Sequence, residues 1–143
     1  MPKSTDACNA IVGLYYNATP IANIADNAAS SPITTVYVAL ATASYSVSST
    51  LSSNETAYTN YVRQSTARTT GGWTAPSAGA STNAAAIEYP QCGVTGATIT
   101  SAATGKSTGA AAIFHYGDLN ASIAVSNLIQ PRFPIGAVSI TES

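Results

Sequence analysis

Near the start of the chain, apolar side chains recur at the spacing of a helix. Ser4 is a good helix cap, and Asp6 suits the first turn, where the helix dipole stabilises a negative charge. The residues that follow at i, i+3, i+4 and i+7 are Cys8, Ile11, Val12 and Tyr15. The pattern predicts an amphipathic helix over residues 4–17, which Pro20 keeps from continuing.

After Pro32 the hydrophobic period changes to two. The residues that alternate between two faces are Val36, Val38 and Leu40 on one side and Tyr37, Ala39 and Ala41 on the other. Such alternation among β-branched and aromatic residues predicts a strand that is buried on at least one face. The Ser-rich stretch that follows, SYSVSSTLSSNET, has little apolar content and is predicted to be an exposed loop.

Similar short strand patterns recur along the rest of the chain. The further predicted strands cover residues 61–69, 84–89, 97–102, 111–116, 119–126 and 137–141. Gly71-Gly72 and Gly117-Asp118 are predicted turns. About eight short strands without alternating helices predict an all-β, antiparallel sandwich or barrel. The expected organisation is a helix and arm over residues 1–32 and a β-sandwich domain over residues 33–143.

The chain carries few charges, and this bears on its partners. Only 8% of its 143 residues are charged, with a net charge of −1, against about a quarter in ordinary soluble domains. A neutral surface is poorly protected against association, which favours a protein that works in an assembly. A secreted domain kept soluble by hydroxyl and amide groups is the alternative. Because the Lys and Arg residues are scattered, we expect no nucleic-acid partner. No apolar run approaches the ~18 residues of a membrane span, so we expect no membrane partner.

Residues that could carry chemistry are sparse. The single histidine, His115, lies in a predicted strand and is expected to be packed or solvent-facing. Glu88 and Asp118 are the carboxylates that would have to face each other in a glycan-cleaving enzyme. The GKSTG sequence at 105–109 lacks the upstream glycine of a phosphate-binding loop. We therefore expect no enzymatic activity, no cofactor and no metal. The residues expected to be unpaired thiols are Cys8 and Cys92.

With so little chemistry, surfaces for recognition become the main candidates. A sandwich of this size does not need an arm of about thirty residues to close its core, and such an arm can reach a neighbouring subunit or pack on its own sandwich. Tyr and Trp dominate interface hot spots, although about half of the aromatic residues should belong to the core. The residues predicted to form subunit interfaces are Ile11, Val12, Leu14, Tyr15, Tyr16, Ile21, Ile24, Tyr45, Tyr58 and Trp73.

Four stretches of the sequence, taken in order, resemble a family of small virion proteins of tailed bacteriophages. They are IANIADNAASSPITTVYVALATA, NETAYTNYVRQSTARTTGGWT, STNAAAIEYPQC and SIAVSNLIQPRFPIGAVSITE. The family's usual pattern joins a hydrophobic N-terminal helix to an SP-x-T-x-x-Y-V-A-L-x-T-A strand, an E-x-x-Y-x-x-Y-x-R segment, a Gly-Gly-Trp turn and an F-x-x-G-x-L-x-I end. This chain departs from it where ATASYS replaces HTADPG, and where Gly136-Ala137-Val138 replaces G-x-L.

The resemblance implies a structural protein of the virion. Family members usually carry a tail-fibre-like description, and the pattern is also similar to jelly-roll cement proteins that decorate capsids as dimers or trimers. We therefore expect a jelly-roll-like sandwich, made in the bacterial host cytoplasm and located on the capsid surface. There it would stabilise the head by bridging capsid subunits. The expected partners are the chain itself, as a homotrimer or homodimer, and the major capsid protein. The alternative is a tail or tail-fibre component that binds a host glycan through exposed Tyr residues and Trp73.

Overall fold

A computed structural model describes residues 3–21, 24–25, 32–106, 109 and 112–142. The elements assigned within these residues are α1 (Thr5–Asn17), β1 (Thr35–Ala41), β2 (Gln64–Ala67), β3 (Ala80–Thr82), β4 (Ile87–Glu88), β5 (Ala97–Gly105), β6 (Ile113–Val125), β7 (Arg132–Phe133) and β8 (Ser139–Thr141). The pairings of β1 with β5, β5 with β6 and β3 with β8 are antiparallel. The prediction of an all-β, antiparallel, sandwich-like fold with an N-terminal helix is confirmed.

The chain forms two compact units, each built from separated parts of the sequence. The first unit comprises Met1–Thr35, Thr66–Ile87 and Phe133–Ser143. The second unit comprises Val36–Ser65 and Glu88–Arg132. Helix α1 lies in the first unit with β3 and β8.

Helix α1 begins and ends on the signals found in the sequence. The Ser4 hydroxyl caps it by accepting a hydrogen bond from the Ala7 N–H at 3.2 Å. At its end Ala18 adopts a left-handed conformation (φ 54°), and the Thr19 N–H donates to the Gly13 oxygen at 3.0 Å. The helix buries the i, i+4, i+8 series Cys8, Val12 and Tyr16 together with Gly13. The predicted helix is confirmed, but its buried face centres on Tyr16, while Tyr15 is exposed.

A buried amide organises the strands of the first unit. Asn83 is fully buried, and its Nδ2 donates to the carbonyl oxygens of Ala85 and Pro134, each at 2.8 Å. Its Oδ1 accepts a hydrogen bond from the Val138 N–H at 2.8 Å. This side chain therefore holds the turn before β8 against the residues that follow β3, and no strand was predicted at β3.

A four-stranded sheet has the order β2-β1-β5-β6, and most of its residues belong to the second unit. The antiparallel register of β1 and β5 runs from Tyr37 opposite Gly105 to Ala41 opposite Ser101. As predicted, β1 buries Val36, Val38 and Leu40, but Ala39 and Ala41 are buried as well. The strand is therefore covered on both faces toward its C-terminal end.

Strand β6 is longer than the pattern predicted. Residues 111–116 and 119–126 were expected to be separate strands joined by a turn at Gly117-Asp118. Instead Gly117 pairs with Ala102 and Asp118 with Ser101, so the ladder runs through both turn-forming residues. The pairing then jumps to Ile99 opposite Ile123, which leaves Leu119, Asn120, Ala121 and Ser122 facing Thr100 alone. The irregularity that was predicted as a turn is thus a large bulge a few residues further on.

The Ser-rich segment after β1 is not simply an exposed loop. Tyr45 and Leu51 are buried, and they form a core cluster with Ala39, Ala41 and Ala103. The Tyr45 hydroxyl donates to the Leu51 oxygen at 3.4 Å. Two apolar residues are enough to fold this polar segment back onto the sheet. Among the described residues, no helix is long and apolar enough to span a membrane.

Candidate interaction surface

The ten residues predicted to form subunit interfaces differ widely in exposure. The buried ones are Val12, Tyr16, Tyr45, Tyr58 and Trp73. The partly buried ones are Ile11, Leu14 and Ile21. Tyr15 is 39% exposed and Ile24 is 83% exposed. In this conformation the five buried side chains stabilise their own units and present no surface to a neighbour. The predicted interface role stays a prediction for all ten residues.

Arg68 attaches helix α1 to its own unit, and the sequence alone left open whether this helix packs on its own subunit or on a neighbour. This arginine is 6% exposed. Its guanidinium donates to the main-chain oxygens of Leu14 and of Tyr15, the latter at 2.8 Å, and to the Ile33 oxygen at 3.2 Å. The last carbonyl groups of a helix have no partner within the helix, and a cation favours the negative end of the helix dipole. Burial lowers the pKa of Arg68.

Trp73 and Tyr16 form the aromatic centre of the first unit. Their rings meet edge to face, with centroids 4.7 Å apart. The indole Nε1–H donates to the Thr66 hydroxyl at 2.9 Å, and the Asn17 amide donates to the Trp73 carbonyl oxygen at 3.0 Å. The Gly-Gly turn before Trp73 is confirmed: a Cβ on Gly72 would lie 2.0 Å from the Ala67 oxygen. Trp73 is therefore a core residue, and it is not available to stack on a sugar.

Residues 55–63 form a loop of the second unit, and a nearly buried ion pair joins its two ends. Glu55 accepts hydrogen bonds from Arg63 Nε at Oε1 and from Arg63 Nη2 at Oε2, each at 2.7 Å. The Tyr61 hydroxyl donates to Glu55 Oε1 at 2.9 Å and accepts from the Leu40 N–H at 3.0 Å. Arg63 also donates to the Ser52 hydroxyl. The Glu55 carboxylate raises the pKa of Arg63 by accepting its hydrogen bonds.

Tyrosine rings fill the space behind this ion pair. Tyr61 meets Tyr58 edge to face at 5.3 Å and stacks on Tyr89 at 6.2 Å between centroids. The Tyr58 hydroxyl donates to the Pro90 oxygen and the Tyr89 hydroxyl to the Val38 oxygen. Burial raises the pKa of Tyr58 to about 12 and raises the pKa values of Tyr61 and Tyr89 as well. These rings therefore serve packing, and their neutral form is favoured.

The same loop borders an open depression of about 710 Å³, lined by residues 55–63. One side of the loop is held by main-chain bonds: the Thr59 N–H donates to the Thr95 oxygen, and the Gly93 N–H donates to the Thr59 oxygen. Asn60, which has a φ of 78°, donates from its amide to the Gln91 oxygen at 3.3 Å. The depression thus has a fixed wall. We call it the 55–63 depression.

The residues weighed for catalysis are placed as follows. Glu88 and Asp118 are both exposed. The main-chain N–H of His115 donates to the Thr104 hydroxyl at 3.2 Å, and His115 is partly buried. Cys8 and Cys92 are free and buried. Ser107 and Thr108 of the GKSTG sequence lie outside the described residues. Within the described part of the chain, no group of three or more His, Cys, Asp or Glu residues is arranged to hold a metal ion.

Comparison with known protein families identifies the class of the molecule. Residues 14–141 match the family described as podophage GP4 fiber I protein gp80, so the chain is a structural protein of a tailed-phage virion. Because the match covers most of the chain, the chain belongs to the podophage GP4 fiber I protein gp80 family. No curated protein matches the chain.

Proposed function

We propose that the protein is a component of the fibre apparatus of a podophage virion. The observation that carries this is the match of residues 14–141 to a family described as a fibre protein. That description supports the tail or tail-fibre alternative better than capsid decoration, which was the main expectation from the sequence. The protein is a virion component under either hypothesis.

The proposed mode of action is protein–protein contact without catalysis. The fold supports it through a surface that carries few charges and keeps its strongest ion pair, Glu55–Arg63, within the second unit. Binding that does not depend on opposite charges should resist salt, because only exposed charges are effectively screened. We expect the protein to stay on particles in about 1 M salt.

The alternative hypothesis named Trp73 as a glycan-binding residue, but Trp73 is 0% exposed and cannot contact a glycan in this conformation. Tyr58 is 2% exposed and is likewise unavailable for stacking. Among the described tyrosines, Tyr15 and Tyr116 expose the largest fractions, 39% and 45%. Host recognition through aromatic stacking would therefore have to use exposed tyrosines such as Tyr15 and Tyr116 in place of Trp73.

The location in the particle tests the proposed function. Purified virions are separated into heads and tails, and the protein is quantified in each fraction by mass spectrometry. We expect it in the tail fraction at a copy number far below that of the major capsid protein. Recovery with heads, at a copy number comparable with that of the capsid protein, would establish decoration and overturn the fibre proposal. Immunogold labelling of intact particles provides an independent check.

A further inference from the structure

The turn after β6 holds a leucine in an unfavourable conformation. The Ile129 N–H donates to the Ser126 oxygen at 2.9 Å, which closes a four-residue turn. Its third residue, Leu128, has a φ of 68°. Such a position suits glycine or asparagine, since a branched side chain is sterically costly there. A strained residue that the surroundings hold in place is a reason to look for function.

Leu128 is also exposed. Its side chain is 67% accessible to solvent. Its backbone is fixed on both sides, because its N–H donates to the Cys92 oxygen at 2.9 Å and its carbonyl accepts from the Gln91 amide at 2.8 Å. The chain thus exposes the apolar side chain of Leu128 to solvent and holds its backbone in a sterically unfavourable conformation. Folding of the chain alone gives no reason for this combination.

Two further exposed apolar residues lie at the same end of the β5–β6 pair. Val94 is 88% exposed and Ile129 is 43% exposed. The Cys92 N–H donates to the Ile129 oxygen, and Ala97 pairs with Val125, so the segment containing Val94 runs beside the turn. We call Val94, Leu128 and Ile129 the apolar knob.

The 55–63 depression lies next to the apolar knob. Thr59 on its wall bonds to Thr95 and Gly93, the residues on either side of Val94. Asn60 bonds to the carbonyl of Gln91, whose own amide holds Leu128. Exposed apolar side chains and a depression therefore adjoin on one unit.

This surface carries no formal charge along its three segments. Residues 56–62, 90–97 and 125–131 contain no Asp, Glu, Lys or Arg. The charges at the two ends of the depression, Glu55 and Arg63, are paired with each other. Its polar groups are amides and hydroxyls, such as those of Asn60, Gln91 and Thr59.

We propose that this surface binds a second copy of the chain, with the apolar knob of one copy entering the 55–63 depression of the other. Contact between identical surfaces brings like charges together, and a surface without charges avoids that repulsion. A knob beside a depression is complementary to itself when two copies meet. The proposal does not depend on whether the protein belongs to the fibre or to the head.

A sugar is a poorer fit for the same surface. Sugars bind to exposed aromatic faces, and the rings behind the depression, Tyr58 and Tyr89, are 2% and 1% exposed. The exposed groups of the apolar knob are aliphatic. Aliphatic side chains fit a protein surface that is apolar in turn.

The test measures self-association of the purified full-length chain by sedimentation over a range of concentrations. Leu128→Asn removes the apolar side chain with a residue that tolerates positive φ, so the fold should be kept. Val62→Lys places a charge in the depression at a residue that is 56% exposed. Val47→Asn, at a side chain that is 95% exposed and outside the surface, is the matched control.

We expect the natural chain to form a closed oligomer. We expect Leu128→Asn and Val62→Lys each to weaken association at least about tenfold, which corresponds to about 1.4 kcal/mol. The control should associate normally. A chain that is monomeric at every concentration overturns the proposal, and so does association that both variants leave intact. If the chain is monomeric and Leu128→Asn fails to enter particles, the surface binds a different virion protein and a second copy is the wrong partner.

Discussion

The Nε of Arg68 donates a hydrogen bond of 2.8 Å to the main-chain oxygen of Tyr15, 53 residues earlier in the chain. Through this bond an arginine outside the helix supplies the positive charge that the last turn of α1 lacks in its own sequence. Helix α1 is therefore tied to its unit at its C-terminal end. At the other end, Lys3 forms an ion pair with Glu142, in the segment after β8.

Replacing Arg68 should destabilise the first unit. In Arg68→Met the apolar stem is kept, but the carbonyl oxygens of Leu14, Tyr15 and Ile33 lose a charged donor. We expect the free energy of unfolding to fall by about 2–4 kcal/mol, since hydrogen bonds to charged groups contribute about 1.5–3 kcal/mol each before desolvation is offset. Urea denaturation measures the change. Arg132→Met, at an exposed arginine, should alter stability by less than about 0.5 kcal/mol. Equal effects of the two variants would contradict the anchoring role.

Breaking the Glu55–Arg63 pair should be costly. Glu55→Gln preserves the side-chain shape but leaves the Arg63 cation, whose side chain is 6% exposed, without its counter-ion. We expect a loss of about 2–4 kcal/mol in unfolding free energy, below the value for a fully buried pair because Glu55 keeps some contact with water. The double variant Glu55→Gln/Arg63→Met should recover part of the loss. Glu88→Gln changes an exposed carboxylate of the same unit and serves as control.

The buried tyrosines should make the fold sensitive to alkali. Burial raises the pKa values of Tyr45 and Tyr58 from 10.0 to about 12. Below pH 10 both the folded and the unfolded chain keep these protons, so the stabilisation is complete. Above pH 10 the unfolded chain releases them first, and stability falls until the pH passes about 12.

Denaturation at a series of pH values, followed by circular dichroism and tyrosinate absorbance, measures this decline. Tyr45→Phe removes one of the shifted groups and should make the decline above pH 10 shallower. Stability that is constant from pH 9 to 12 would show that these hydroxyls are not held in their neutral form.

The Asn83 amide should be essential to the first unit. Asn83→Ala leaves the Val138 N–H and two carbonyl oxygens without their partner at a fully buried position. We expect a loss of about 2–3 kcal/mol, because an unsatisfied buried polar group costs about 1–3 kcal/mol in addition to lost packing. Thermal unfolding measures it. Asn127→Ala, at an exposed amide, should change little. A neutral outcome for Asn83→Ala would mean that water replaces the amide.

The elements set by local pattern were predictable. Helix α1 and strand β1 follow from residues that are neighbours in sequence, so period and capping suffice to place them. The fold class follows from the number of such segments. What could not be predicted is which face α1 buries, because Tyr16 is drawn inward by Trp73, a residue 57 positions away.

The prediction of a turn at Gly117-Asp118, within β6, was wrong. Gly117 and Asp118 favour turns locally, yet they pair with Ala102 and Ser101 in the antiparallel ladder. The reverse happened at Leu128, where the sequence Ser-Asn-Leu-Ile has no glycine and the left-handed turn was not foreseen. Tertiary pairing outweighs local preference in both places.

The loop that lines the 55–63 depression was partly visible in the sequence. The spacing Glu-x-x-Tyr-x-x-Tyr-x-Arg was noticed in residues 55–63, but only as part of a family resemblance. In the structure the loop with this spacing folds back on itself, so that Glu55 contacts Arg63 and Tyr61 contacts Tyr58. The residues predicted for interfaces included Tyr58 and Trp73, which are buried in this chain, and did not include the exposed Leu128 and Val94.

The bulge in β6 bears on how far such a chain can polymerise. β6 ends the four-stranded sheet, and a straight strand in that position would invite another chain to extend the ladder. With Leu119 to Ser122 set against Thr100 alone, an incoming strand has no uniform row of donors and acceptors to follow. The bulge therefore makes open-ended extension of the sheet by further copies of the chain unfavourable at this edge.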